Sequence, residues 1–420
     1  MALRTITLRR VVVTGLGALT PVGNSVAETW DGMVNGRSGI ASITLFNANE
    51  DWGVRFAGEV RGYDFSTILD GREMRRFDRF AMLALAAATE AANDCGFDFQ
   101  SGDPYRHGVA IGSGIGGIGT IESGVIQMAT TGNRKIGPFT VPRLMVNAGA
   151  GQVSIRFNLR GANIATATAC ATGSHAIGSA FHLIQRGDAD VMLAGGAEAA
   201  VTPLCIGAFA AMKALSTRND APTIASRPFD KDRDGFVLSE GAAVIVLEEY
   251  EHAKKRGAHI YAELLGFGSS GDAYHIAAPE EHGAGAHRAM LNALGDAEVS
   301  ADRVGYINAH GTSTPLGDAA EVAAVKRLFG AHAYKLAMSS TKSVTGHALG
   351  AAGGIESIAT ILALQNGVLP PTMNLDCPTD GFDLDFVANS AQERPIEIAI
   401  NNSFGFGGHN TSLVFARASG

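Results

Sequence analysis

The chain has 420 residues, of which 18% are charged, with 53 glycines and a formal net charge of −8. That length exceeds one ordinary core, so two core units or one large layered core are expected, and so little charge beside so much glycine points to a large buried interface and a dimer. A net acidic chain without a basic tail argues against nucleic acid, and no uncharged apolar stretch approaches the ~20 residues that cross a bilayer.

Residues 1–10 run from three arginines into the strand-like 11–14, with no apolar signal region, so the expected compartment is the cytoplasm. A helical pattern at 80–93 is followed by a strand at 109–112, a helix at 146–157, a strand at 164–168 and a helix at 170–185. Strands at 191–194 and 242–247 lead to the polar run 250–257, the expected boundary between an N-terminal half, 1–257, and a C-terminal half, 258–420. Strands then follow at 262–266, 304–308, 336–339, 396–401 and 411–415, with helices at 318–329 and 349–365 between them. Such alternation means a layered α/β fold.

Chemistry concentrates where the 164–168 strand meets the next helix, in Thr168-Ala169-Cys170-Ala171-Thr172-Gly173. Unpaired amides and the positive dipole end at a helix start stabilise a thiolate and can also hold an oxyanion, so Cys170 reads as a nucleophile with a lowered pKa. Two further turns carry histidine: His310-Gly311-Thr312-Ser313-Thr314-Pro315 and Lys342-Ser343-Val344-Thr345-Gly346-His347. A glycine-rich tail, Ser403-Phe404-Gly405-Phe406-Gly407-Gly408, completes the set. One Cys and two His on loops entering helices suggest thiol chemistry on a carbonyl. The other three cysteines, Cys95, Cys205 and Cys377, form no CxxC or CxxH pair with it, so neither a disulfide framework nor a metal site is indicated.

The frame T-x-[C/S]-x-T-G occurs at Thr168 and again at Thr341, each after a strand and before an Ala/Gly-rich helix. Duplication predicts two halves related by a pseudo-twofold, with Cys170 and the Lys342 turn facing one site. Two glycine runs, at 11–17 and 112–117, imitate dinucleotide loops, but neither has the acidic residue about twenty positions on that would hold a ribose. Asp230-Lys231-Asp232-Arg233-Asp234-Gly235 imitates a calcium loop whose twelfth position falls on Gly241, so it reads as a structural turn.

Together with Val13-Thr14-Gly15-Leu16-Gly17, Arg227-Pro228-Phe229-Asp230, Asp234-Gly235-Phe236 and Glu240-Gly241, these motifs resemble the β-ketoacyl-acyl-carrier-protein synthases of the thiolase fold, and among them the type II synthases. The resemblance runs from Val11 to Phe415. It implies a five-layered α/β/α/β/α homodimer that condenses acyl and malonyl carriers in fatty-acid elongation, with no organic cofactor and room for a structural monovalent cation. It implies Cys170 as nucleophile, the amides of Cys170 and Phe406 as oxyanion hole, His310 and His347 as donors to the malonyl thioester, and Lys342 paired with Glu356. It further implies Phe406 and Phe404 at the gate, Ile115 in the acyl pocket, and Thr312 and Thr314 on the pantetheine arm.

Carrier proteins are acidic, so an acidic enzyme needs a local basic patch. Arg72, Arg75, Arg76 and Arg79 recur at helical spacing, and Arg134, Lys135 and Lys213 match positions that meet the carrier in similar enzymes. Departures from the family pattern are His409 in place of Thr, Thr140 after Phe139, and Ala277 where a Thr hydroxyl is common; they bear on acyl preference and carrier affinity. A polyketide or specialised-lipid ketosynthase would share the mechanism. A non-catalytic chain-length subunit would lack the nucleophile.

Overall fold

A computed structural model describes residues 7–132 and 136–418. One ten-stranded mixed sheet organises them: β1 (Val11–Leu19), β2 (His107–Gly112), β3 (Asn163–Ile164), β4 (Val191–Glu198) and β5 (Gly241–Glu249) from the first part of the chain. The second part supplies β6 (Ala262–Gly271), β7 (Tyr306–Asn308), β8 (Ala337–Ser339), β9 (Ile398–Gly405) and β10 (His409–Arg417). The order is β8-β7-β9-β10-β6-β1-β5-β4-β2-β3. Read outward from the central β6/β1 pair, the two sets of five match strand for strand in order and in direction. The expected pseudo-twofold is therefore present in the topology.

Alternation along the strands explains the layers, because successive side chains leave a strand on opposite faces. On β5, Ala243, Ile245 and Leu247 join a central core, while Ala242, Val244 and Val246 join an outer one. On β10, Leu413 and Phe415 belong to the central core and Val414 to a second outer core. Strands buried on both faces read as continuous apolar runs, as β1, β2, β4 and β5 do in the sequence, whereas β6 alternates. The first outer layer contains α1 (Arg79–Cys95) and α2 (Ala148–Phe157); the central layer contains α3 (Thr172–Gln185). The second outer layer contains α4 (Ala284–Asp296) and α5 (Pro315–Phe329), and α6 (Ala352–Asn366) lies beside α3 in the centre. This is the five-layered α/β/α/β/α arrangement. Glycine lets α3 and α6 approach: a Cβ on Gly173 would lie 2.8 Å from the Gly354 nitrogen, and one on Gly353 would lie 2.3 Å from Ser174 Oγ.

Two sequence expectations need correction, the 164–168 strand and the register of the repeat. The 164–168 strand stops at Ile164; beyond it one backbone bond from the Ser113 amide to the Thr166 carbonyl remains (3.2 Å), while Thr166 Oγ1 donates to the Thr172 carbonyl (3.0 Å) and the Thr168 amide donates to Thr172 Oγ1 (2.8 Å), turning the chain toward the helix. The polar run 250–257 is mostly helix, Tyr250–Lys255, capped by Glu249. The repeat also has a different register. Short 3-10 turns, Ala169–Ala171 and Leu349–Ala351, lead into α3 and α6, and each opens on a residue forced to positive φ, Ala169 at 48° and Leu349 at 45°. Gly350, not Ser343, therefore stands where Cys170 stands; the 342–347 turn is additional chain between β8 and α6.

Candidate active site

Cys170 sits in the middle of its 3-10 turn, 6% exposed, with the left-handed Ala169 before it fixing the turn's direction. The glycine tail packs directly behind. A Cβ on Gly405 would lie 2.9 Å from the Thr168 oxygen, 3.0 Å from the Cys170 nitrogen and 3.1 Å from the Ala171 nitrogen, so only glycine lets β9 come this close. Gly407 and Gly408 follow at φ 81° and 74°, turning the chain back into β10 and leaving Phe406 at the tip.

His310 leaves the end of β7 on a loop held by one carboxylate: Glu321 on α5 accepts from the His310 amide (2.9 Å) and from the Gly311 amide (2.8 Å). His347 is fixed by its backbone, whose amide donates to the Val237 carbonyl (2.7 Å) and whose carbonyl accepts from Ser239 (3.0 Å). The two imidazoles meet edge to face at 5.4 Å, and each is nearly buried, at 7% and 2% exposure. One donor atom each from Cys170, His310 and His347 lies within 4.8 Å of the others. His310 Nδ1 and both ring nitrogens of His347 have no hydrogen-bond partner in the protein. Buried polar atoms left so are exceptional in folded proteins and mark places prepared for another molecule.

Electrostatics fix the resting protonation. Burial, then the Lys342 ammonium, then His347 hold His310 well below the usual imidazole range, and burial followed by Lys342 does the same to His347. Both are neutral at pH 7. Lys342 Nζ is bonded to Glu356 Oε1, and both side chains are buried. Burial pushes Glu356 up to about 7 against the pull of Lys342. The helix-start lowering expected for Cys170 does not prevail: burial pushes its thiol up to about 12, opposed by Lys342 and by the Phe406 amide. The resting group is a thiol. Among the described residues this triad is also the one cluster of three or more His, Cys, Asp or Glu side chains that could ligate a metal. The neighbouring Lys342 ammonium repels a cation there.

One cavity of about 580 Å³ is lined by Cys170, His310, His347, Ile115, Phe404, Phe406, Thr312, Thr314 and Lys213, while Ala277 lies at the same wall. Thr312 Oγ1 and Thr314 Oγ1 bond to each other at 3.0 Å. Lys342 and Glu356 stand behind the histidines instead. Of the basic patch, Arg72, Arg75 and Arg76 are exposed, but they do not share one helix with Arg79. A four-residue helix, Gly71–Met74, ends at Arg75, and Asp78 caps the start of α1. Arg79 is a structural residue, its guanidinium held by the buried Glu240 at 2.7 and 2.5 Å. Arg134 and Lys135 lie outside the described residues. His409 is exposed and edge-on to His175 at 6.3 Å.

Two residues that sequence reasoning passed over hold the site's loops: Glu321, described above, and Glu198. Ser113 Oγ (2.7 Å), the Gly114 amide (2.8 Å), the Ile115 amide (3.2 Å) and the Gly350 amide (3.0 Å) all donate to Glu198. The signal was an acid inside an apolar run: Ala197-Glu198-Ala199 ends a buried strand, and Ala320-Glu321-Val322 lies on a buried helix face. The glycine run 112–117 is thus a backbone nest whose acceptor is internal. The calcium-like loop is also accounted for, since Asp230 accepts from Arg227 Nε at 2.9 Å and from the backbone amides of Asp232, Asp376 and Cys377.

Family models for the N-terminal and C-terminal domains of β-ketoacyl synthase match residues 8–253 and 261–376. The 3-oxoacyl-[acyl-carrier-protein] synthase 2 of Coxiella burnetii is 52% identical over 97% of this chain and 99% of its own. Its counterpart from Vibrio harveyi is 53% identical over 97% and 99%. A solved β-ketoacyl synthase from Burkholderia phymatum superposes with a TM-score of 0.90 at 38% identity, covering 98% of this chain and all of that one. A ketosynthase bound to a hexaketide and solved with its type II polyketide acyl-carrier protein gives a TM-score of 0.90 at 36% identity, with 98% of this chain covered and 100% of that one.

Proposed function

This chain belongs to the β-ketoacyl synthase family, and on that premise we propose that it is the condensing acyltransferase of fatty-acid elongation, a 3-oxoacyl-acyl-carrier-protein synthase of type II. The observation that carries the reading is the meeting of Cys170, His310 and His347 within 4.8 Å at one cavity. The reaction has two halves. Cys170 attacks the acyl thioester; the new Cys–S–acyl bond forms as the carrier's C–S bond breaks, and the thiol proton ends on the departing pantetheine. The malonyl carrier then loses CO₂, its enolate attacks the acyl–Cys carbonyl, and the Cys170 thiolate that leaves takes up one proton, giving the 3-oxoacyl carrier.

Both halves build charge on a thioester oxygen, and preorganised donors lower such barriers most. For acyl transfer the donors are the amides of Cys170 and Phe406. For decarboxylation they are the neutral imidazoles of His310 and His347, each of which has one N–H to donate, while burial and Lys342 keep a second proton off and leave the other nitrogen an acceptor. A thiol at about 12 reacts only when its proton has an acceptor, and two neutral imidazoles within reach offer one. Phe406 and Phe404 gate the cavity, Ile115 bounds the acyl pocket, and Thr312 and Thr314 bond the pantetheine arm.

No organic cofactor is required, since the substrates bring their own electrophile. Buried oxygens without protein partners, Asn308 Oδ1, Asn401 Oδ1 and Glu356 Oε2, suit a structural monovalent cation. The acyl carrier protein docks on Arg72, Arg75, Arg76 and Lys213. A second copy covers the edge strand β3 and the exposed apolar Val125, Ile126, Val141 and Ile155, making a homodimer that works in the cytoplasm. The chain divides functionally into 1–257, with the nucleophile, and 258–420, with both histidines.

The half-reactions separate in His310→Ala and His347→Ala. Each variant should still acylate Cys170 yet lose CO₂ release and condensation by about 10²-fold or more. Intact-mass spectrometry reads the first step, and CO₂ capture from malonyl carrier reads the second. Normal decarboxylation in both variants would make the histidines structural.

A further inference from the structure

Glu198 is buried completely at the end of β4, on no direct path of the chemistry, yet it collects four donors from two parts of the chain. Oε1 accepts from Ser113 Oγ (2.7 Å) and the Ile115 amide (3.2 Å); Oε2 accepts from the Gly114 amide (2.8 Å) and the Gly350 amide (3.0 Å). A carboxylate has about four acceptor positions, and all are used. Burial raises its pKa above the usual carboxylate value, against the pull of Ser113 and of the three amides; the geometry, with three backbone N–H groups aimed at the two oxygens, is that of a clamped acceptor. Ile115 lines the cavity beside Cys170, and Gly350 opens the chain three residues after His347. Space around the clamp is minimal, because a Cβ on Gly114 would lie 2.8 Å from Glu198 Oε2 and one on Gly350 would lie 2.4 Å from the Gly114 nitrogen.

We propose that Glu198 is a positioning residue for acyl-chain selection, its carboxylate holding the Ile115 loop at a fixed distance from the Cys170 turn by anchoring it to Gly350. This rests on the reading of Ile115 as the wall of the acyl pocket. The logic is that of a pocket wall hung from one carboxyl group. A wall tied by two amide bonds and one hydroxyl bond cannot drift, so chains of different length meet the same barrier each time. Loosening the tie blurs the barrier without touching the nucleophile, the histidines or the carrier surface.

The test compares Cys170 acylation by a ladder of acyl carriers in wild type, Glu198→Gln and Ser113→Ala, with Ile115→Phe as reference. Gln presents an amide N–H to backbone N–H groups and cannot satisfy all four donors. Ser113→Ala removes one of the four bonds to Glu198, together with the acceptor of the Gly116 amide (2.9 Å), and keeps the carboxyl group, which protects the test should Glu198→Gln fold poorly. The ratio of long-chain to short-chain acylation rates should change by about 10-fold in Glu198→Gln and in the same direction, less, in Ser113→Ala. A role in stability alone would lower every chain length equally and leave the ratio at its wild-type value. That result, with Ile115→Phe still blocking long chains, would overturn the proposal alone. An unchanged ladder in Ile115→Phe would remove the pocket reading and the proposal with it.

Discussion

Cys170 and Gly350 occupy equivalent points of two equivalent turns, and their amides meet opposite fates. In the second half the Gly350 amide is sealed by the Glu198 carboxylate, which projects from the end of β4. In the first half the matching end of β9 is Gly405, which has no side chain to send; a Cβ there would lie 3.0 Å from the Cys170 nitrogen. The same backbone nest is closed by an internal carboxylate in one copy and left facing the cavity in the other. Two halves with one plan thus yield one joint sealed by a carboxylate and one that, on the proposed mechanism, receives the reacting oxyanion. What makes a site of the fold is the removal of a side chain as much as the presence of a cysteine.

The comparison breaks most visibly at Gly405. Gly405→Ala puts a methyl group into the space between β9 and the nucleophile turn, so Cys170 acylation should fall by about 10²-fold. Rapid-quench mass spectrometry of the acyl-enzyme reads it, and a thermal melt shows whether the fold survives. Wild-type acylation would mean that the open nest is not the oxyanion hole.

A smaller effect is expected at Lys342, which sharpens the contrast between the halves because the additional turn after β8 brings its charge to Cys170. The ammonium stabilises the thiolate and so lowers the thiol pKa; in Lys342→Ala the thiol should rise above its already high position. At fixed pH the alkylation of Cys170 by iodoacetamide should slow, with its pH profile displaced to the alkaline side. The histidines shift the same way for the opposite charge: without Lys342 their pKa values rise, so the acid limb of condensation should move to higher pH. An unmoved alkylation profile would remove Lys342 from the electrostatics.

The least effect belongs to the surface. Arg75→Glu with Arg76→Glu should raise KM for acyl carrier by about 10-fold at low salt, leave kcat near its original value, and spare a small pantetheine thioester. Equal damage with both substrates would assign these arginines to the fold, as the structure does for Arg79.

Much of this was legible because β1, β2, β4 and β5 are buried on both faces and read as apolar runs, and each of the ten runs marks a strand, although β6 alternates and β3 is only partly covered. The glycine tail and both histidine turns were legible because their composition suits no ordinary packing. Other features were hidden for physical reasons. The frame shared by Thr168 and Thr341 pairs residues that do not superpose, since sequence likeness does not register the additional turn before α6. The helix-start argument for Cys170 gives the direction of one influence, whereas the degree of burial that outweighs it arises only when β9, α6 and the histidine loops close over the thiol. Helical spacing among arginines said nothing of Glu240, which lies far along the chain and claims Arg79.

The central claim is that one thiol carries the acyl chain between two substrates. It is tested most directly by intact-mass spectrometry of wild type and Cys170→Ser, first with acyl carrier and then with a malonyl-carrier chase. Wild type should gain one acyl mass, mapped to Cys170, and lose it on the chase as 3-oxoacyl carrier and CO₂ appear, while Cys170→Ser gains none. An adduct on the variant, on Cys95, Cys205 or Cys377, or one that the chase does not discharge, would contradict the account.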